Sequence, residues 1–64
     1  MTRFEKDMRD ALEGNEIEVL TRRKAEIKKL TDEGKACKNG FRRACIVQEV
    51  VRLQREYEAI SANF

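Results

Sequence analysis

The sequence predicts an all-α fold, a helical hairpin preceded by a short N-terminal helix. Three observations carry this. The chain has no Pro and only 3 Gly in 64 residues. It is 41% charged and 41% hydrophobic, whereas disordered chains are poorer in apolar residues and lack periodicity. Its apolar residues also recur at helical spacing. The expected elements are helices over about 3–13, 16–33 and 41–61, in a single small domain covering residues 1–64.

The first helix opens on Thr2 with Glu5 three residues later, the form of a capping box. Phe4, Met8, Ala11 and Leu12 follow on one face. Gly14 and Asn15 then end it, since Gly tolerates the left-handed conformation that closes many helices. Asn15 is the expected cap of the second helix, with Glu16 and Glu18 in its first turn, where the dipole favours anions. Ile17, Leu20, Ile27 and Leu30 form its apolar stripe, interrupted at Lys24, and Gly34 is the expected terminating glycine.

The third helix has the clearest pattern. Ile46, Val50, Leu53, Tyr57, Ile60 and Phe64 are spaced 4, 3, 4, 3, 4, a coiled-coil-like a/d repeat. Ala44, Val47 and Val51 add a second strip beside it. That apolar front is wider than a single antiparallel helix covers. Two arrangements would bury the strip. The first helix can fold back, bringing Phe4 and Met8 near Val47 and Val51 in a three-helix mini-bundle. Alternatively, two hairpins can pair into a dimeric four-helix-type bundle. A core this small is marginal, which favours dimerisation or a bound partner.

Charge is unevenly spread. Residues 1–21 carry three basic and six acidic side chains, residues 22–43 nine and three, and residues 44–64 two and three. The tip and upper sides of the hairpin are therefore positive, through Lys28, Lys35, Lys38, Arg42 and Arg43. Arg42 and Arg43 open a helix, where the dipole disfavours cations, and this points to contact with something acidic. The calculated pI of 8.7 falls short of the usual nucleic-acid flag. Phe41 is the sole aromatic in the basic stretch, so no stacking platform is evident. The Ile46–Val51 run is too apolar for a recognition helix.

Catalytic and metal-binding chemistry is not signalled. There is no His, which removes the commonest general base and zinc ligand. Cys37 and Cys45 are eight apart, outside the Cys-x-x-Cys pattern. They read as free thiols, with Cys45 packed as a small hydrophobe. The three glycines form no phosphate loop, and the acids fall on expected exposed faces. No cofactor, catalytic residue or small-molecule substrate is expected.

No apolar run approaches the ~18 residues of a membrane span, and the charged start MTRFEKDMRD lacks a signal-peptide pattern. A cytoplasmic location is expected. The function expected first is a non-enzymatic protein-binding module that modulates, inhibits or scaffolds a larger protein, in the style of phage and plasmid accessory proteins. Its partner or dimer face would comprise Val47, Val51 and Phe41. Nucleic-acid binding through the basic tip is the second reading, and a structural part of a larger assembly the third. In size and hairpin plan the chain resembles the Rop family of plasmid RNA-binding proteins, which dimerise into four-helix bundles. That likeness is one of architecture and carries over no residues.

Overall fold

In the computed structural model, which describes residues 1–64, the chain is all-helical. Helix α1 spans Arg3–Asp10, α2 spans Glu16–Ala36 and α3 spans Gly40–Ser61. Helices α2 and α3 pack side by side as a hairpin, and α1 touches both. The long helices, at ~1.5 Å per residue, set the longest of the overall dimensions, 41 × 20 × 17 Å.

The capping box forms as the sequence implies. The Glu5 N–H donates to Thr2 Oγ1 at 3.2 Å, and the Thr2 N–H donates to Glu5 Oε1 at 3.3 Å. Beyond Asp10 the chain continues as a wider helical turn over Ala11–Asn15, kinked at Gly14, where the sequence places the end of the first helix. Gly14 lies at φ 108°, ψ 2°, a conformation that Cβ-bearing residues reach only at a cost of ~1–2 kcal/mol. The turn reverses the chain and rotates Leu12 and Ile17 out to 61% and 77% exposure, so neither joins the core. Asn15 makes no side-chain capping bond, contrary to expectation.

Gly34 does not terminate α2, which continues to Ala36. It is buried under α3, where a Cβ would lie 3.1 Å from Ile46 Cγ2. Its role is close approach of two helices. The helix ends where Cys37 turns extended, at φ −78°, ψ 124°. Asn39 then caps α3, its Oδ1 accepting from the Arg42 N–H at 3.0 Å. Phe64 lies beyond the helix end and is 58% exposed.

The apolar core sits at the open end of the hairpin. Ala11, Val19 and Ile60 are fully buried there, with Phe4, Met8 and Leu20 against them. Asn63 Nδ2 donates to Met8 Sδ at 3.4 Å, tying the C-terminal turn to α1. Leu53 is the other fully buried apolar side chain.

The next inward position of α2 above Val19 is Arg23, only 1% exposed. Lys24, read from the sequence as the interruption, is exposed. Arg23 Nε donates to Asp7 Oδ2 of α1 at 2.7 Å, and Nη1 donates to Glu56 Oε1 of α3 at 2.9 Å. Its Nη2 has no partner within the protein. Arg22 Nη2 also donates to Asp7 Oδ1, at 3.1 Å. Asp7 is buried rather than solvated. Arg3 grips Glu26 with both terminal nitrogens. That bond holds the Glu26 carboxyl below its ordinary range, although burial opposes the shift. The stabilisation from this pair is present above the ordinary glutamate pKa and is lost as pH falls through the lowered one.

These contacts place α1 on one flank of the hairpin. On α2 that flank carries Arg22 and Glu26. On α3 it carries Arg52 and Glu56, which line one recess with Phe4. Helix α1 does not reach Val47 and Val51, which remain 52% and 43% exposed. The expected contact of Phe4 and Met8 with them is not made, because Asp7 is held lower on the hairpin by Arg23.

Two substitutions test this packing. Gly34→Leu overpacks the α2–α3 contact and is expected to destabilise by ~1–3 kcal/mol in thermal or denaturant unfolding. Unchanged stability would contradict the close approach. Arg23→Ala takes from the buried Asp7 its shortest bond, leaving it Arg22 alone at hydrogen-bond distance, and should cost ~3–5 kcal/mol, whereas the apolar pair Asp7→Leu/Arg23→Met should recover most of that loss. A single substitution costing less than ~1 kcal/mol would show the guanidinium to be solvated.

Candidate partner-binding surface

The flank opposite α1 is open. Along α2 it carries Thr21, Lys24, Lys28, Thr31 and Lys35, spaced 3, 4, 3, 4 and therefore in one line on the helix. Along α3 it carries Arg43, Val47, Val51 and Gln54. Between the two helices lie two shallow grooves. The upper one, of about 440 Å³, has Ile46, Val47, Val50 and Val51 as its floor, between Lys35 and Arg43. The lower one, of about 660 Å³, is lined by Ala25, Ile27 and Tyr57, with Lys24, Lys28 and Gln54 at its edges. No acidic side chain lines either groove.

The structure thus gathers Lys28, Lys35 and Arg43 with Val47 and Val51 on one flank. Lys38, Arg42 and Phe41 lie apart from it at the hairpin tip, all exposed. Phe41 is 82% exposed and lines neither groove. Lys24 belongs to the cationic row. Its signal lies in the spacing of 24, 28 and 35, although the apolar stripe makes it read as an interruption.

Arg43 has an internal role that the sequence concealed. Its Nη2 donates to the Cys37 carbonyl at 2.7 Å. A cation there satisfies an end group of α2 and offsets that helix's negative pole. Its position at the start of α3 is therefore no argument for an acidic partner. Arg42 makes its cap bond through the backbone alone. Along α3, Arg52 joins Glu49 and also Glu56, the latter at 3.1 Å, as the sequence spacing allowed. Those bonds push the Arg52 pKa further up, Glu49 contributing most.

Cys45 is exposed rather than packed, on the side of α3 that carries Arg52 but nearer the tip than α1 extends. Cys37 is half-buried, its Sγ 3.5 Å from the Asn39 carbonyl oxygen, and the two cysteines are not bonded to each other. No group of three or more His, Cys, Asp or Glu side chains is placed to hold a metal ion. No helix is long and apolar enough to cross a membrane. No protein-family model, curated protein or solved structure matches this chain.

Proposed function

We propose that this chain is a non-enzymatic protein-binding module that docks a larger protein along the open flank of its hairpin, to modulate, inhibit or scaffold it. The observation that carries this reading is the apolar strip of Val47 and Val51, uncovered in a chain with four fully buried apolar side chains. So small a core gains proportionally from any further apolar burial, at ~25 cal/mol per Å². On this reading α1 completes a three-helix mini-bundle, and the open flank is left for a partner. A dimeric four-helix bundle formed face to face through this flank would set one cationic row near its copy, which like-charge repulsion disfavours.

A nucleic-acid reading keeps one favourable observation, the exposed Lys38 and Arg42 side chains at the tip. Contacts from there would reach phosphates, with affinity falling steeply as salt rises.

Immobilised wild-type chain and the Val51→Glu variant, each exposed to nuclease-treated native lysate, separate the readings. Val51 is half exposed, so the variant should melt within about 0.5 kcal/mol of wild type. The proposal expects wild type to retain a specific protein and the variant to lose it. Retention of nucleic acid alone, abolished by nuclease and weakened by Arg42→Ala, would contradict it.

A further inference from the structure

The open flank also constrains its occupant. We infer that the two grooves together form a seat for an amphipathic helix whose α2-facing edge is acidic. This rests on the protein-binding reading above and specifies the partner's chemistry. The line from Thr21 to Lys35 covers fourteen helical steps, or ~21 Å, about four turns of a docked helix. Its floor is apolar at both ends, through Val47 and Val51 above and Ile27 and Tyr57 below. That suits the i, i+3, i+4, i+7 anchors by which a helix fills a groove.

Charge selects the edge. Lys24, Lys28 and Lys35 recur along the α2 side at the spacing of one helical row, and Arg43 stands at the upper end. On the α3 side of the lower groove the polar lining residue is the neutral Gln54. A partner helix would therefore meet lysines along the whole α2 border, and on the α3 border Arg43 at the upper end and the neutral Gln54 below. Carboxylates at i, i+4 and i+11 on the first border would match the lysines, as flanking charges set partner choice in coiled coils. A second copy of this chain would bring its own cationic row to the same face. Nucleic acid would satisfy the lysines but leave the valine floor without bases to stack on it, since no aromatic lines the upper groove.

The test is an NMR titration of the isotope-labelled full chain with a designed 18-residue helical peptide. It carries Leu at a and d positions and Glu along one edge. A Lys-edged peptide of otherwise identical sequence is the control, and single-stranded RNA and anionic phospholipid vesicles are the comparison arms. The expected result is that the Glu-edged peptide shifts the amides of Lys28, Val47, Val51 and Tyr57. Binding should weaken about tenfold or more for the Lys-edged peptide, and likewise for Lys24→Gln/Lys28→Gln/Lys35→Gln. That variant alters only exposed side chains, so its melting temperature should not move.

Equal binding of both peptides overturns the inference, as do shifts confined to the Arg22 and Glu26 flank. Binding of RNA or vesicles but not the Glu-edged peptide overturns it as well. So does a dimer in sedimentation that Val51→Glu dissociates, since the seat is then taken by a second copy. If Val51→Glu strips a captured protein while the Glu-edged peptide leaves the spectrum unchanged, the acidic-helix inference falls and the protein-binding reading stands. If neither effect occurs, both fall.

Discussion

The arrangement of this chain turns on one buried guanidinium. Arg23 is the largest fully buried side chain, and it occupies an inward position of α2 where a hairpin would ordinarily place a leucine or valine. A charge in such a place must be paired, since stranding it costs several kcal/mol. Its partners come from two other helices, Asp7 of α1 and Glu56 of α3. The three-way bond therefore does what four buried apolar side chains do weakly, which is to decide where α1 lies. Net stabilisation is not its main contribution, because desolvation offsets much of the Coulomb gain in buried pairs. Its force is exclusion. Moving α1 to the other flank would leave Asp7 and Arg23 without each other.

From that constraint the rest of the surface follows. With α1 held low on one flank by Asp7, and at its start by the Arg3–Glu26 grip, the apolar core gathers at the open end around Ala11, Val19 and Ile60. The upper half of the hairpin is held by close approach instead, through Gly34 beneath Ile46. There α3 leaves Val47 and Val51 about half exposed at the edge of the groove it shares with α2. Those two residues and the lysine row of α2 lie together because one flank is filled and the other is not. The proposed docking function is the reading that gives both features a single cause.

Much of the plan was legible in the sequence, and the limits are physical. The capping box, the break at Gly14 and the third helix's repeat are local signals, and each has a counterpart in the structure. The seam of α2 keeps Leu20, Ile27 and Leu30 half-buried and departs from the stripe by one position at Arg23. The stripe of Ile17, Leu20, Ile27 and Leu30 made Lys24 look like the odd residue, although Arg23 is the one that faces inward. Its burial depends on carboxylates 16 and 33 residues away, which no local periodicity reveals. Gly34 misled for the same reason, since its role depends on Ile46. For the candidate surface, Val47 and Val51 were visible as surplus apolar positions. The basic residues divide in the fold: Lys28, Lys35 and Arg43 line the grooves, Arg43 also bonding the Cys37 carbonyl, and Lys38 and Arg42 lie apart at the tip.

The central claim is that the Asp7–Arg23–Glu56 bond fixes α1 to one flank and leaves Val47 and Val51 open. Methyl and aromatic nuclear Overhauser contacts in the full chain measure this directly. The account predicts contacts joining Ala11, Val19 and Ile60, contacts from Met8 to the C-terminal turn near Asn63, and none from Phe4 or Met8 to the methyls of Val47 or Val51. Strong contacts from Phe4 or Met8 to those valines would place α1 on the opposite flank and contradict it.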